Sequence, residues 1–472
     1  MYPSLKDFKK LATEHERITL YKEMGGDMDT PVSLLGKFLC FDRALLLESA
    51  QQNKTYSRFS FLAYDLPDKI IVRQSGVFRG DVCIAPLSEL RDILQQDSMP
   101  PHGEFGDFAG GYVGYLNFDF VGECNILRAP LSHRNDVLGV FYLVEQFCVY
   151  DNYTNKLYVA VSRRLDGSDS DDLYREMCRE LDRMEGEVTN LAGYADPEPM
   201  QPSVVRGIPR VLFIDKVDRA RTMIAEGEAI QIVLSDFLEA DNIDSFEFYR
   251  NLRRINPSPY MFFIKDGNMS MVGSSPEIHL QIRDRQATLK PIAGTKKRNA
   301  SENLEDTINA LTGDEKERAE HLMLVDLARN DLSRICAVGT VKVESFMEPE
   351  VYSHVVHMVT EVKGLLREEI TPLDAVKETF PAGTVSGAPK VRAIEIIDEM
   401  EGFARGPYSG CTGYIGFDGS LDMAITIRTA VFSGNRARLQ AGAGIVYDSV
   451  PEKEYDEVMN KLLVLMKAGG LA

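Results

Sequence analysis

The order of the predicted strands and helices restricts the possible folds of this chain most. The strands come in runs and do not alternate one by one with helices. Short apolar segments bounded by turn residues predict strands at 45–47, 70–72, 147–150, 229–238, 260–265, 269–272, 278–282, 287–291, 351–357, 409–417, 423–432 and 438–445. Helical patterns occur at 171–186, 215–225, 246–255 and 314–336, and in a C-terminal segment that Ser449 and Glu452 would cap. A parallel sheet with crossover helices requires regular alternation, so the pattern predicts an α+β fold.

One segment separates two parts of the chain. Residues 190–210 are rich in proline and glycine and lack periodicity, which is typical of a linker. A length of 472 residues is enough for two or three domains. We therefore predict an N-terminal domain over 1–189, a linker over 190–210 and a C-terminal domain over 211–472.

Charge and cysteine content exclude several classes of protein. The net charge of −19 opposes binding to nucleic acid and to anionic lipid, so neither is expected as a partner. The N-terminus has no apolar run behind a basic start, and we expect a cytoplasmic protein. Seven cysteines without a CxxC or Cys/His spacing argue against both a disulfide framework and a zinc site.

Two predicted helices each begin with a pair of glutamates three residues apart. The pairs are Glu317 with Glu320 and Glu454 with Glu457. This spacing places both members on one helix face, and two converging faces would offer carboxylate oxygens to a hard cation such as Mg²⁺. Acidic residues in a first turn are also favoured by the helix dipole alone. The spacing therefore fits either a metal site or ordinary stabilisation of the helix ends.

Glycine-rich segments and histidines are further candidates for chemistry. Glycine-containing segments at 294–295, 384–390 and 441–444 would let backbone N–H groups approach an anion, with Lys390 or Arg428 adding charge, although tight turns and strand crossings would use the same residues. His321, His354 and His357 offer acid–base groups, but a histidine in an apolar strand is more often a core residue. No phosphate-binding loop, serine nucleophile elbow or glutaminase cysteine motif is present in the sequence.

Several long motifs in a fixed order carry a resemblance to a known family. The segments are IQIVLS (230–235), NPSPYM (256–261), GSSPE (273–277), PIAGT (291–295), EHLMLVDL (320–327), FPAGT (380–384) and QAGAG (440–444), with a thinner match at LLES (46–49). On these motifs the chain resembles the component I family of anthranilate synthases, among the chorismate-utilising enzymes. The resemblance implies a two-domain α+β fold in which large antiparallel sheets form a β-sandwich core with helices packed outside.

The resemblance also implies an activity and its partners. It implies Mg²⁺-dependent conversion of chorismate and ammonia to anthranilate and pyruvate, the first committed step of tryptophan biosynthesis. Ammonia would come from glutamine on a separate amidotransferase subunit, in a heterotetramer of two large and two small subunits. L-tryptophan would act as a feedback inhibitor.

Individual residues match the family's functional positions. Glu277 matches a general acid and His357 a residue implicated in pyruvate loss, and Gln231 and Thr384 match further catalytic positions. The implied substrate-binding residues are Gly294, Thr295, Tyr408, Arg428, Gly442, Ala443, Gly444 and Lys461. The implied Mg²⁺ ligands are Glu320 and Glu457, with Glu317 and Glu454 nearby, and the implied tryptophan site is Ser49, Pro259, Tyr260 and Met261.

Two positions distinguish an anthranilate synthase from other chorismate-utilising enzymes. Relatives that add water carry lysine at position 231, where Gln231 suffices for ammonia because ammonia is already a nucleophile. Aminodeoxychorismate synthase component I carries a lysine that bonds covalently to the ring, where this chain has Ala293. Isochorismate, salicylate and aminodeoxychorismate synthases therefore remain the alternatives within the family, and a catalytically silent tryptophan-binding regulator is the alternative of another class.

Overall fold

The computed structural model describes residues 1–50, 58–94, 96–101, 106, 108–167, 169–195, 200–297, 303–351 and 355–472. Its α-helices are α1 (Leu5–Leu11), α2 (Pro31–Phe38), α3 (Leu90–Ile93), α4 (Ser170–Asn190), α5 (Arg210–Ala225), α6 (Ser245–Ile255), α7 (Leu304–Thr312), α8 (Glu315–Ile335), α9 (Pro372–Thr379), α10 (Lys390–Glu401) and α11 (Pro451–Ala468). Short 3₁₀ helices occur at Leu87–Glu89, Phe118–Glu123 and Gly383–Val385. Among these described residues, no helix has both the length and the apolar composition needed to cross a membrane.

Strands make up the centre of the fold. They are β1 (Arg17–Gly25), β2 (Arg43–Glu48), β3 (Phe59–Tyr64), β4 (Lys69–Arg73), β5 (Gly76–Arg79), β6 (Val82–Ala85), β7 (Gly111–Leu116), β8 (Val137–Val144), β9 (Gln146–Asp151), β10 (Lys156–Arg164), β11 (Ser203–Arg206), β12 (Gln231–Asp241), β13 (Tyr260–Asp266), β14 (Met269–Ser275), β15 (Ile278–Arg283), β16 (Gln286–Leu289), β17 (Ile292–Lys297), β18 (Lys342–Val351), β19 (Val355–Leu365), β20 (Gly387–Ala388), β21 (Cys411–Gly416), β22 (Leu421–Ile425), β23 (Thr429–Ser433) and β24 (Arg436–Ile445).

These strands form two 12-stranded sheets in which every pairing is antiparallel. The first sheet has the order β1-β10-β9-β3-β2-β13-β14-β23-β24-β12-β11, with β20 also paired to β12. The second has the order β17-β19-β16-β15-β22-β21-β7-β8-β4-β5-β6, with β18 also paired to β19. This confirms the predicted α+β class and its large antiparallel sheets.

The two sheets pack face to face through an apolar layer. Leu45 and Phe262 from the first sheet and Tyr142 and Tyr414 from the second lie in one buried cluster. The outer face of the first sheet is covered by α1, α2, α4, α5, α6, α10 and α11, and that of the second by α3, α8, α9 and α10. Because alternate side chains of a strand point to opposite faces, each sheet buries apolar residues on both sides.

Both sheets contain strands from each side of residues 190–210. In the first sheet Leu46 of β2 pairs with Phe263 of β13, and in the second Val113 of β7 pairs with Tyr414 of β21. The proposed linker itself includes β11, which pairs with β12. The division into domains at this segment stays a prediction.

Three local expectations were wrong. The predicted strand at 351–357 is the end of β18 and the start of β19, and 352–354 lie outside the described residues. The predicted strand at 423–432 is split into β22 and β23, because Arg428 has a positive φ of 50° that breaks extended geometry. Ser449 does not cap α11, since its hydroxyl accepts the N–H of Val446 and Val450 occupies the N-cap position.

Candidate active site

The floor of the candidate site is formed where β12 pairs with β24. Ser235 lies opposite Gly442 and Val233 opposite Gly444. A Cβ at Gly442 would lie 2.8 Å from Tyr408 Oη, and one at Gly444 would lie 2.8 Å from Gln231 Nε2. Both distances are too short for a side chain, so these glycines allow Tyr408 and Gln231 to lie directly on the backbone.

Ala443 differs from its two glycine neighbours. Its side chain is fully buried in the apolar cluster on the outer face of the first sheet, because successive residues of a strand point to opposite faces. Only the backbone of Ala443 is therefore available to the site.

The first glutamate pair borders the same space from α8. Gln231 Nε2 donates to Glu320 Oε1 at 3.5 Å. Gly294 of β17 has a φ of 73°, and a Cβ there would lie 3.1 Å from Glu317 Oε2. The predicted spacing on one helix face thus places Glu317 beside β17 and Glu320 beside β12.

His357 lies on β19, across from Thr295 of β17 in the strand register. Its Nδ1 lies 3.3 Å from the carbonyl oxygen of Gly294, and a carbonyl only accepts, so Nδ1 carries the proton and Nε2 has the lone pair. Burial lowers the pKa of His357, which favours the neutral imidazole. This is the protonation state of a general base. The side chain of Thr295 and all of His354 lie outside the described part of the chain.

Glu277 lies between β14 and β15 and is almost fully buried. Burial raises the pKa of its carboxyl group to about 8, with Thr384, Arg428 and Lys461 opposing the rise. Thr384 Oγ1 itself is buried without a partner at hydrogen-bonding geometry within the described residues. The carboxyl group therefore carries a proton at neutral pH and can act as an acid.

Two cations bring positive charge to the site. Arg428 lowers the pKa of both Glu277 and His357, which places its charge near the acid and the base. Lys461 Nζ donates to the carbonyl of Gly442 at 2.8 Å and pairs with Glu457 at 2.8 Å. A dianionic ligand entering a chain of net charge −19 needs such local positive groups.

Three of the four predicted metal ligands border the site, from two helices. Glu317 and Glu320 reach it from α8, and Glu457 is joined to it through Lys461. Their oxygen atoms suit Mg²⁺ in donor chemistry. Within the described ranges, no three Asp, Glu, His or Cys side chains are grouped closely enough to hold an ion, so the convergence of these glutamates on one metal stays a prediction.

The other histidine of the α8 motif has a structural role. His321 is fully buried, and its Nε2 lies 2.6 Å from Thr360 Oγ1 on β19. Burial lowers its pKa to about 4. His321 therefore joins α8 to the second sheet. This agrees with the alternative that it is a hydrogen-bonded core residue and not an acid–base group.

All four residues of the predicted tryptophan site line one cavity between the two sheets. Ser49, Pro259, Tyr260 and Met261 lie on its wall, and the cavity volume is about 380 Å³. Tyr260 Oη donates to Asp422 at 2.9 Å. Segments that are more than 200 residues apart in sequence thus meet at one cavity.

Sequence reasoning missed two residues that lie between this cavity and Glu277. Ile278 and Lys290 line the cavity and also the smaller pocket that contains Glu277 and Thr384. The only signal in the sequence was the position of Ile278 next to Glu277, since neighbours on an extended segment face opposite ways.

Comparisons with known proteins show related sequences and structures. Residues 42–467 match the family described as chorismate binding enzyme. Anthranilate synthase component 1 from Acetivibrio thermocellus is 37% identical over 99% of this chain and 98% of that protein, and the one from Aquifex aeolicus is 40% identical over 98% and 97%. Among solved structures, anthranilate synthase component I from Streptococcus pneumoniae has a TM-score of 0.76 and 34% identity, covering 88% of this chain and 94% of that chain. The menaquinone-specific isochorismate synthase from Escherichia coli, at 20% identity and a TM-score of 0.71 over 99% of both chains, shows the fold alone.

Proposed function

The chain belongs to the chorismate binding enzymes, and we propose that it is the large subunit of an anthranilate synthase, which converts chorismate and ammonia to anthranilate and pyruvate. The observation that carries the proposal is that the charge of Arg428 acts both on a buried carboxylic acid, Glu277, and on a neutral imidazole, His357. Acid and base groups whose environments hold them in opposite protonation states are what a two-step elimination requires.

In the first step we assign the proton donor to Glu277. Ammonia forms a C–N bond at C2 of the ring, the two ring double bonds shift from C1=C2 and C5=C6 to C1=C6 and C4=C5, and the C4–O bond breaks. The hydroxyl group takes the Glu277 proton and leaves as water, and the added nitrogen gives up a proton. Gln231 is an amide that can hold ammonia by hydrogen bonding without having to deprotonate it.

In the second step we assign the base to His357. Its Nε2 lone pair removes the proton from C2 of the aminated ring while the C3–O bond to the enolpyruvyl group breaks. The departing enolpyruvate takes up a proton to become pyruvate, and the ring becomes aromatic. The Gly294 carbonyl keeps the Nδ1 proton in place and so holds the tautomer that the step needs.

Charge in the site supports a dianionic substrate. Arg428 and Lys461 supply positive charge, and the backbone of Gly442 and Gly444 leaves room for a ligand against Tyr408 and Gln231. We propose that Mg²⁺ is held by Glu320 and Glu457, with Glu317 and Glu454 nearby. When bound, the ion would neutralise a substrate carboxylate.

A separate subunit is proposed to supply ammonia from glutamine. Burial raises the pKa of the thiols of Cys124 and Cys148 to about 12 and of Cys336 to about 11, so these are not reactive thiolates. Cys40 and Cys83 are exposed. The sequence around each cysteine also lacks a glutaminase motif, which supports an amidotransferase partner.

The cavity between the sheets is proposed to bind L-tryptophan as a feedback inhibitor. It is lined by Phe59, Phe61 and Tyr414 as well as by Ser49 and Met261, so it offers apolar walls for an aromatic side chain. Since Ile278 and Lys290 line both this cavity and the Glu277 pocket, a ligand there can change the affinity for chorismate. Such coupling must be reciprocal.

The test of the proposed function is an assay of the purified chain with chorismate, MgCl₂ and an ammonium salt. We expect fluorescent anthranilate and an equal amount of pyruvate, and no activity with glutamine until an amidotransferase subunit is added. Isochorismate, salicylate or aminodeoxychorismate as the product would overturn the proposal. Glutamine-dependent activity of the chain alone would contradict the assignment of a separate partner.

A further inference from the structure

A fully buried ion pair lies behind the floor of the candidate site. Arg405 and Glu401 are one helical turn apart in sequence, and both side chains are 1% exposed. Arg405 Nε donates to Glu401 Oε2 at 2.9 Å, and Nη2 donates to Glu401 Oε1 at 2.6 Å. Neither residue belongs to a motif that the sequence analysis selected.

All five N–H donors of Arg405 are used. Besides the two bonds to Glu401, Nη1 donates to the carbonyl of Val385 at 2.7 Å and to Ser409 Oγ at 3.2 Å. Nη2 also donates to the carbonyl of Val233 at 2.6 Å. The planar guanidinium group thus fixes three separate chain segments relative to Glu401.

Glu401 connects the pair to the paired strands. Its Oε1 accepts the backbone N–H of Ser235 at 2.7 Å and the Ser235 hydroxyl at 2.9 Å. Ser235 Oγ in turn accepts from Gln440 Nε2 at 2.9 Å. The pair therefore binds both β12 and, through Ser235, β24.

Each segment held by the pair carries a candidate site residue. Val385 follows Thr384, Ser409 follows Tyr408, and Val233 lies two residues after Gln231. Ser235 lies opposite Gly442. One buried ion pair thus joins three places in the chain, at residues 233–235, 385 and 409, which must stand in fixed positions around the substrate.

Stability alone is a weak reason for such a pair. Removing two charges from water costs several kcal/mol per ion, and well-packed apolar residues often replace a buried pair without loss of stability. What apolar residues cannot reproduce is a set of directional bonds to the backbone of Val233, Ser235 and Val385 and to the hydroxyl of Ser409. We propose that Arg405 and Glu401 are positioning residues for the active site, an inference that depends on the proposed placement of that site.

Arg405→Lys tests this directly, with Arg17→Lys as its matched control. Arg17 is also a buried arginine, bound to Asp97 at 2.7 Å and to Glu145 at 2.8 Å and stacked on Phe417, and it lies on β1, outside the candidate site. Both variants lose a buried guanidinium group that donates to two carboxylate oxygens, so both should lower the thermal midpoint to a similar degree. Only Arg405→Lys should also lower kcat/KM for chorismate, by about 100-fold with a raised KM, because small misplacements of reacting groups have effects of this size.

Ser235→Ala provides a second, milder variant that keeps both charges. It removes one acceptor for Gln440 and one donor to Glu401, and we expect a several-fold rise in the KM for chorismate with little change in the thermal midpoint. Ser162→Ala is its control. Ser162 is equally buried and hydrogen-bonded to Thr19, and both lie at the end of the first sheet opposite to β12 and β24. Kinetics are measured well below each midpoint so that unfolding does not contribute.

Chorismate affinity is measured by calorimetry on the same four variants. It distinguishes a failure of the proposed function from a failure of the positioning role of Arg405. A wild-type product other than anthranilate would overturn the proposed function alone, because the affinity ratios still decide the role of Arg405. Equal effects of Arg405→Lys and Arg17→Lys on kcat/KM and affinity would overturn the positioning role. If Arg405→Lys does not fold, an unchanged KM in Ser235→Ala overturns it instead.

Discussion

Glu277 should carry a proton at neutral pH, and removing that proton should stop the first chemical step. An ordinary glutamate with a pKa of 4.5 is only about 0.3% protonated at pH 7, whereas a pKa of about 8 gives about 90%. Burial therefore increases the population of the acid form roughly 300-fold. Above pH 8 that advantage is lost, and about 10% of the acid form is left at pH 9.

The assay is the pH profile of kcat/KM for chorismate with the concentration of free ammonia held constant. Constant free ammonia is needed because ammonium also loses its proton in this range. Since kcat/KM reports the free enzyme, we expect an alkaline limb with an apparent pKa near 8 and roughly a tenfold fall between pH 7 and pH 9. The sign is fixed by the role, since the active form of an acid is the protonated one.

Glu277→Gln supplies the matching perturbation. It keeps the size of the side chain but cannot donate an acidic proton, so kcat should fall by about 10²- to 10⁴-fold. Glu180→Gln, on α4 and bound to Arg163, is the control and should keep wild-type activity and the alkaline limb. A flat profile between pH 7 and pH 9, or a Glu277→Gln variant within tenfold of wild type, would refute the assignment.

The remaining predictions concern the metal, the base and the regulatory cavity. Glu320→Gln and Glu457→Gln should each abolish Mg²⁺-dependent turnover with the circular dichroism spectrum unchanged, while Glu315→Gln should do little; retained Mg²⁺ dependence in both variants would contradict the two-helix site. His357→Met should consume chorismate and accumulate 2-amino-2-deoxyisochorismate, as followed by chromatography, and wild-type rates of anthranilate formation would exclude its role as the base. Ser49→Phe should relieve tryptophan inhibition while leaving uninhibited turnover intact, and an unchanged inhibition curve would show that the cavity between the sheets is not the effector site.

Local patterns in the sequence determined much of the secondary structure. The Asp266-Gly267-Asn268 turn joins the predicted strands 260–265 and 269–272, now β13 and β14, because glycine readily adopts the positive φ of 59° found there. The glutamate spacing also placed Glu317 and Glu320 on one face of α8. These features depend on residues close together in the chain, so the sequence alone carries the necessary information.

What the sequence left open depended on contacts between distant segments. The break at Arg428, the use of residues 203–206 as a strand and the interleaving of early and late strands in both sheets follow from tertiary pairing. The protonation of Glu277 likewise depends on the residues that bury it, and no neighbouring residue in the sequence indicates a pKa of about 8.

The role of the Arg405–Glu401 pair behind the site also depends on contacts between distant segments. In the sequence it is one more pair of opposite charges four residues apart, of the kind that surface helices commonly carry. Only the tertiary structure removes it from water and brings Val233, Val385 and Ser409 within reach of one guanidinium group. The sequence determined which chemical groups are present, whereas burial and long-range pairing decided their protonation, their partners and their positions.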